Sequence, residues 1–485
     1  MDLFLGLDLG TQGVKALVFH PESRRILSRG SAPLDILPPA RPGAAEQRTE
    51  DWWPAVVQSV QQALAGLEVD PSCIRAIGVS GQQHGLVALD EQGQCLRPVK
   101  LWCDTETAAE AEELSSGLHR PIPAGFTASK ILWMKRHEPE NFRRLRWVLL
   151  PHDWLNYRLT GKMRMEAGDA SGTGLWNLRS RSFDQGAMSW IDPQLASTFP
   201  DLLAPEQWHG ELQESAASAL GLRTGTLVAP GSGDNMMSAL GSGAFEEGVF
   251  VCSLGTSGTI FGRSEQPIED PKGWVAPFCD AAGAWLPLLC TMNCTTVLEE
   301  VRKAFDSNHE ALTALAEGEN SGSDGISFLP YFQGERVPDW PHARAAVLGL
   351  EISKLRPGLL YRAAMEGASF ALFQGWRHMT DFGLSASEFR VVGGGAQNLL
   401  WVQTLADLFD LPFRFPAEAE SAALGGALQA AALYSGQGLL PFLREQGIDC
   451  HDRIVEPNPD HRDRLDAAFQ QFLDQAWKLF GPEAR

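Results

Sequence analysis

The sequence predicts an α/β protein of two domains with a cleft between them. Its 485 residues are too many for one ordinary hydrophobic core. Short apolar runs bounded by glycine, which favour strands, alternate with longer segments of helical periodicity. An apolar run, a Gly-Thr-x-Gly turn and a second apolar run occupy residues 3–19 and recur at 249–262, which is weak evidence of an internal duplication. We therefore expect one domain at 1–244 and another at 245–485.

The first domain begins with a predicted β-hairpin, LFLGLD at 3–8 and VKALVF at 14–19, because two apolar runs are split by turn residues. Apolar residues at helical spacing predict a helix over 49–67, with Thr49 as its N-cap. The apolar segment IRAIGVSG, 74–81, predicts a buried strand.

Further along this domain we expect helices at 104–118 and 129–146. The segment 145–161 predicts a strand, then a helix that stops at a glycine. Residues 180–225 have a mixed pattern that favours no single element.

The second domain restarts with a hairpin from residue 249. The segment 389–409 predicts a strand, a glycine turn and an amphipathic helix, and 411–416 predicts another strand. The end of the chain is helical in pattern, and its helices could pack on either domain.

The charge balance excludes several partners. Forty Lys and Arg against sixty Asp and Glu give a net charge of −20. This disfavours a nucleic-acid or anionic-membrane surface, since both need clustered positive charge. The sequence shows no secretory leader and no long apolar span, so we expect a cytoplasmic protein. An anionic substrate such as ATP would have to be met by a metal ion, helix N-termini or backbone N–H groups.

Two glycine turns are candidates for phosphate binding. In the first, Gly10 and Thr11 offer backbone N–H groups and a hydroxyl, and Asp8 at the strand end can hold Mg²⁺. A single such turn is structural more often than not. Gly255 and Thr256 form a second turn in the other domain, and two turns facing one cleft would grip a polyphosphate.

The run of glycines at 393–395 lies between a predicted strand and a predicted helix. Small residues there would let a nucleoside lie on the backbone, near a helix N-terminus that favours anions. A crowded turn between strand and helix explains the same glycines equally well.

Asp234 is the only carboxylate in the stretch PGSGDNMMSALGSG, 230–243. A glycine turn precedes it and a helical pattern follows, so its side chain would project from a helix N-terminus into the cleft, within reach of a substrate hydroxyl. The alternative is a simple helix cap, the commonest role of Asp at this position.

Polar and aromatic side chains follow two other apolar runs. Gln83 and His84 come after the strand 74–81, and Trp102 ends the short run VKLW, 99–102. Ligands bind at strand ends in α/β sheets, and amide, imidazole and indole groups suit a polyol. A lone His or Trp is more often structural.

The ordered set of motifs resembles the FGGY carbohydrate kinases over nearly the whole chain. The motifs are LGLDLGTQGVKALVF, SGQQHGLVALD, GSGDNMMSALGSG, SLGTSGTIFG, GGGAQNLLWVQTLADLF and SAALGGALQAA. The resemblance implies an actin/hexokinase-like fold, with two ribonuclease-H-like domains closing over a sugar and ATP–Mg²⁺. It is also compatible with a homodimer, although no segment demonstrates an interface.

The resemblance also implies residue roles. Asp234 matches the catalytic base that takes the proton from the sugar hydroxyl. Asp8 and Asp234 match the carboxylates that bind the metal ion. The remaining matches are Gly10, Thr11 and Gln12 in the first phosphate turn, Gly255 and Thr256 in the second, Gly394, Gly395, Ala396 and Asn398 in the nucleotide segment, and Gln83, His84, Trp102 and Asn235 at the sugar.

Within the family, Gln83-His84 is similar to the motif of members that act on D-xylulose, whereas glycerol kinases carry an Arg-Glu pair there. The chain departs from that motif in Gln83, where Met is usual, and in Cys103 and the residues after it. The resemblance therefore implies ATP-dependent phosphorylation of D-xylulose to D-xylulose 5-phosphate. The alternatives are L-ribulose, L-fuculose, gluconate or glycerol as the acceptor, or a non-catalytic ATP-binding sensor of the same fold.

Overall fold

The computed structural model describes residues 1–448 and 450–481. Over these residues the chain forms two halves, each built on a seven-stranded mixed sheet with flanking helices. The predicted α/β class is confirmed. Among the described residues, no helix combines the length and the apolar character needed to cross a bilayer.

Both sheets share a central pattern, in which three antiparallel strands are joined, through the first of them in the chain, to a parallel strand on the other side. The second sheet has a fourth antiparallel strand, Val275–Cys279, at its edge. The strands of the first sheet, in spatial order, are Gly210–Glu211, Leu227–Val228, Ile74–Gly81, Leu3–Leu9, Gly13–His20 and Arg25–Pro33, with Ser232–Gly233 also paired to Ile74–Gly81. Those of the second are Val275–Cys279, Trp285–Thr291, Gly258–Gly262, Val249–Leu254, Glu388–Val392, Phe413–Pro416 and Cys450–Val455. This is the ribonuclease-H-like arrangement expected for each half.

The helices flank these sheets. The α-helices of the first half are Thr49–Ala65, Ala108–Leu118, Thr127–His137, Pro139–Arg144, Pro151–Thr160, Ala167–Ala170, Gln185–Ile191, Glu214–Leu220 and Asp234–Ser242. Those of the second half are Thr295–Ala304, His309–Glu317, Pro357–Asp381, Leu399–Phe409, Ser421–Ser435, Leu439–Gln446 and Pro459–Phe480. The 3₁₀ turns are Pro71–Cys73, Ser171–Thr173, Pro193–Ser197, Ser323–Gly325 and Gly394–Gln397.

Five small two-stranded sheets complete the described structure. Their pairs are Glu46–Gln47 with Val99–Lys100, Val87–Leu89 with Trp147–Leu149, Met165–Glu166 with Leu202–Leu203, Trp176–Asn177 with Ser182–Phe183, and Ser327–Leu329 with Ala346–Leu348. Residues 180–225, which had no clear sequence pattern, hold short strands and short helices, and elements this short give no readable periodicity.

The prediction that Thr49 is a helix N-cap is wrong. The N-cap is Arg48, whose side chain makes no capping bond, and Thr49 is the first helical residue. Its buried hydroxyl lies 3.4 Å from Glu50 Oε2 and 3.1 Å from Cys95 Sγ. The hydroxyl therefore contacts neighbouring side chains and does not cap the helix.

Two other helices differ from their predicted bounds. The helix expected at 104–118 is Ala108–Leu118, because the first four residues form turns. The helix expected at 129–146 is divided into Thr127–His137 and Pro139–Arg144. A proline disfavours helical backbone in the residue before it, which explains the break.

The helix Ser421–Ser435 connects the two halves, which settles where this late helix packs. It lies against the strands Leu3–Leu9 and Ile74–Gly81 of the first sheet and against the helix Asp234–Ser242. The approach is backbone to backbone: a Cβ built on Gly78 would lie 1.8 Å from the carbonyl oxygen of Gly426. The end of the chain thus supports the element that begins with Asp234.

A buried histidine makes the fold sensitive to acid. Burial, followed by the charge of Arg164, lowers the pKa of His209 to about 3, whereas an unfolded histidine titrates near about 6.5. Between these values the unfolded chain binds more protons, so stability falls as the pH is lowered. We expect the thermal midpoint to fall between pH 7 and pH 5, and to fall less in His209→Gln. Equal falls would show that His209 is not responsible.

Candidate active site

A cleft of about 890 Å³ lies between the two halves. Its lining includes seven residues that the sequence singled out: Thr11, Gln83, His84, Trp102, Asp234, Asn235 and Gly255. The segment 394–398 does not line this cleft. The structure therefore gathers the predicted sugar-side residues and one residue of each phosphate turn in one place.

Asp234 stands at the start of the helix Asp234–Ser242. The short strand Ser232–Gly233 pairs in parallel with the end of Ile74–Gly81, so the sheet fixes where this helix begins. One carboxylate oxygen of Asp234, Oδ1, accepts hydrogen bonds from Asn235 N at 2.8 Å and Asn235 Nδ2 at 3.1 Å. Within the described residues, Oδ2 accepts none and is available to a ligand.

Asp8 provides a second carboxylate at the end of a neighbouring strand, Leu3–Leu9. Ser80 Oγ donates to Asp8 Oδ1 at 2.8 Å, but burial still raises the pKa of Asp8. Burial, and then the charges of Asp8 and Asp169, raise the pKa of Asp234 to about 8. Bringing a divalent cation to these two oxygen donors would relieve their repulsion, so the pair fits Mg²⁺.

Gln83, which is predicted to bind the sugar, is linked to Asp234 through Asn235. Asn235 Nδ2 donates to Gln83 Oε1 at 2.6 Å, while Gln83 Nε2 is buried without a partner among the described residues. Burial lowers the pKa of His84, which keeps its imidazole neutral. Amide and imidazole groups with unused hydrogen-bonding capacity therefore face the cleft.

The hydroxyl of Thr11, predicted to contact phosphate, is instead hydrogen-bonded to two side chains. It donates to Gln82 Oε1 at 2.8 Å and accepts from Trp102 Nε1 at 3.0 Å. Thr11 thus orients the indole of Trp102 in the cleft. The turn's backbone N–H groups remain the candidates for phosphate contact.

In each of the two predicted phosphate turns, a backbone hydrogen bond spans the turn. Gly255 N donates to Ser257 O at 3.1 Å, and in the first turn Gly10 N donates to Gly13 O at 3.0 Å. The hydroxyl of Thr295, at the start of the next helix, also donates to Gly255 O at 2.8 Å. Gln12 and Thr256 are exposed at the tips of the two turns, and the phosphate roles of both turns stay predictions.

The predicted nucleotide segment packs beside the second turn. A Cβ built on Gly395 would lie 2.7 Å from Leu254 Cβ, next to Gly255, whereas one on Gly394 would meet nothing within 4 Å. Asn398 caps the helix that follows, accepting from Trp401 N at 3.2 Å. Packing explains why residue 395 is glycine, and helix capping explains Asn398. The surface of this segment that remains accessible to a ligand is at Gly394 and at the partly exposed Ala396.

Two cleft-related residues were not anticipated. Asp169 is fully buried behind His84, and Arg336 extends into the cleft from the second half. The Arg336 side chain has no hydrogen bond or ion pair within the described part of the chain. A single acid among small residues, GDASGTG at 168–174, was an available signal for Asp169, because the same pattern surrounds Asp234; nothing distinguishes Arg336 in the sequence.

Comparison with known families agrees with this geometry. Residues 3–241 match the N-terminal domain of the FGGY family of carbohydrate kinases, and residues 250–434 match its C-terminal domain. The chain belongs to the FGGY family. This FGGY kinase is therefore a carbohydrate kinase, for which the family implies a sugar and ATP as substrates.

Individual relatives of this FGGY kinase are similar along most of their length. A xylulose kinase of Haemophilus influenzae is 36% identical, covering 99% of this chain and 100% of that protein. One of Streptomyces coelicolor is 36% identical, covering 90% and 89%. A crystal structure of a xyloylose kinase from Brucella ovis superimposes with a TM-score of 0.91 at 29% identity, covering 98% of this chain and 99% of that one.

Proposed function

We propose that this FGGY kinase phosphorylates D-xylulose to D-xylulose 5-phosphate, with ATP as the donor and Asp234 as the general base. The names of the similar proteins from Haemophilus influenzae and Streptomyces coelicolor support the sugar. The observation that carries the base is the free Oδ2 of Asp234, at a helix start in a cleft lined by both halves.

Asp234 accepts the proton of the terminal sugar hydroxyl as that oxygen attacks the γ-phosphorus. Phosphoryl transfer has a loose transition state, so catalysis depends on alignment and charge neutralisation more than on covalent chemistry. The two hydrogen bonds from Asn235 to Oδ1 hold the carboxylate in one rotamer, which leaves Oδ2 for the hydroxyl. A carboxylate fixed in this way needs no reorientation when the sugar arrives, and a cation held beside it would favour the ionised form that a base requires.

Mg²⁺, when bound, would neutralise the charge of the phosphate groups of ATP. The carboxylates of Asp8 and Asp234 would hold it on the protein side. The N–H groups of Gly10 and Gly255 close their own turns, so the other backbone N–H groups of the two glycine turns supply further donors to the phosphates. An acidic protein can thus bind a polyanion with few lysines or arginines.

The sugar is held by the polar groups of the first half. Gln83, His84 and Asn235 bond to its hydroxyls, and the Trp102 ring packs against its carbon skeleton. Closure of the two halves would exclude water, which favours transfer to the sugar over hydrolysis of ATP.

Coupled ADP release with Mg²⁺-ATP tests the substrate. We expect D-xylulose to stimulate release strongly, and L-ribulose, L-fuculose, gluconate, glycerol and a control without sugar to do so weakly or not at all. Strong stimulation by another member of the panel would keep the mechanism and reject the sugar. Binding of ATP without stimulation by any of them would favour a non-catalytic sensor.

A further inference from the structure

The backbone of His84 is held in an uncommon conformation. Its φ is +62°, in the left-handed region that a residue other than glycine seldom adopts. Three hydrogen bonds fix it: His84 N donates to Asp169 Oδ1 at 3.3 Å, and His84 O accepts from Lys130 Nζ at 2.7 Å and Thr127 Oγ1 at 3.2 Å. Such strain persists where surrounding contacts over-determine the residue, commonly at functional sites.

The imidazole ring of His84 is fixed as tightly as its backbone. A Cβ built on Gly172 would lie 2.4 Å from His84 Nδ1, so only glycine allows the ring this position. The ring centroids of Phe126 and Phe278 lie 5.0 Å and 5.2 Å away. Nδ1 lies 3.3 Å from Asp169 Oδ1, within ion-pair distance but without the alignment of a hydrogen bond, and it has no hydrogen-bond partner among the described residues. Nε2 is consequently the ring nitrogen left to the cleft.

Asp169 also contacts a second buried histidine. His152 Nδ1 lies 3.3 Å from Asp169 Oδ2, and His152 Nε2 lies 2.9 Å from Asp153 Oδ1 and 3.6 Å from Glu166 Oε1. Burial would raise the pKa of Asp169, but its close contacts with His152 and His84 lower it to about 2. Although burial opposes it, the carboxylates around His152 raise the pKa of that histidine well above its usual value. Asp169 thus remains an ionised carboxylate.

The same network reaches the turn before the proposed base. Glu166 Oε1 accepts a hydrogen bond from Ser232 Oγ at 2.9 Å, and Ser232 precedes Asp234 by two residues. His84 and Asp234 therefore stand on one buried framework of charged groups.

We propose that Asp169 is a positioning residue that fixes His84 in its Nδ1–H form, so that Nε2 accepts a hydrogen bond from a sugar hydroxyl. An ionised carboxylate can only accept, so the hydrogen must lie on the ring nitrogen facing it. A neutral imidazole with its hydrogen on Nδ1 has a lone pair on Nε2. The identity of the ligand as a sugar rests on the proposed function, but the form of the ring does not.

The first test is the ¹⁵N NMR spectrum of histidine-labelled protein without ligand, with His84 assigned by comparison with His84→Gln. We expect the Nδ1–H form in the native protein. In Asp169→Asn the amide can donate to Nδ1, so the hydrogen should move to Nε2. An Nε2–H ring in the native protein would overturn the proposal, and this result depends neither on the folding of Asp169→Asn nor on the correct sugar.

The second test is kinetic and uses the sugar that the substrate panel selects. Asp169→Asn should raise KM for the sugar by about tenfold, the cost of one lost hydrogen bond, and leave KM for ATP unchanged. Asp153→Asn is the matched control, because Asp153 is as deeply buried in the same network but does not touch His84. An unchanged sugar KM in Asp169→Asn, or an equal rise in Asp153→Asn, would contradict a role through His84.

Discussion

Replacing Asp234 with asparagine is expected to lower kcat by about 10²–10⁴-fold, the usual contribution of a general base. The amide keeps the shape of the carboxylate, and its oxygen can still accept from Asn235, so the helix start should be preserved. It cannot take the proton of the attacking hydroxyl. Steady-state kinetics with D-xylulose and Mg²⁺-ATP measure the effect, and calorimetry of ATP binding shows whether the nucleotide site is intact.

Asp460→Asn is a suitable control for that experiment. Asp460 also stands in the first turn of a helix, Pro459–Phe480, but it does not line the cleft. We expect its kcat to stay within about twofold of the native value, as for an exposed substitution with little effect on stability. A near-normal kcat for Asp234→Asn would remove Asp234 as the base.

Substituting Gly78 with alanine is expected to destabilise the protein more than any ordinary surface change. The added Cβ would lie 1.8 Å from the carbonyl oxygen of Gly426, so either the strand Ile74–Gly81 or the helix Ser421–Ser435 must shift. The atom that the new Cβ meets belongs to the backbone and not to a flexible side chain, so we expect a cost of about 3 kcal/mol, the upper end of the usual range for overpacking. Thermal unfolding followed by circular dichroism should show a midpoint lowered by several degrees.

Gly318→Ala separates this contact from a general effect of adding a methyl group. Gly318 has an ordinary φ of −78°, and a Cβ there would come no closer than 3.5 Å to its nearest neighbour, the carbonyl oxygen of Leu315. Its midpoint should stay close to that of the native protein. Equal midpoints for Gly78→Ala and Gly318→Ala would show that the helix Ser421–Ser435 is not packed as described.

Much of the fold follows from local patterns in the sequence. Apolar runs broken by glycine predict both hairpins and the strand Ile74–Gly81, which the structure confirms. Helix starts were less predictable because they depend on distant partners. Asp104 lies in a turn because its carboxylate accepts from Lys100 Nζ at 3.0 Å and from Ala45 N at 2.9 Å. No helical period in the sequence encodes those contacts.

In the candidate site too, residues marked by local sequence patterns were predicted, and residues placed by distant contacts were not. Gln83, His84 and Asp234 were predicted because they directly follow strand or turn signals, and the structure brings them to one cleft. Asp169 was missed because its contact with His84 joins residues 85 positions apart in the chain. Arg336 was missed because only the folding of the second half against the first brings it into the cleft that Gln83 and His84 line.

The position of the phosphate in the reaction product tests the central proposal most directly. Purified protein is incubated with D-xylulose and Mg²⁺-ATP, and the product is examined by ³¹P and ¹H NMR. The proposed orientation, with the terminal hydroxyl at Asp234 and the rest of the sugar against His84 and Trp102, predicts a phosphate coupled to the C5 methylene protons. A phosphate on another carbon, or release of inorganic phosphate without a sugar phosphate, would contradict it.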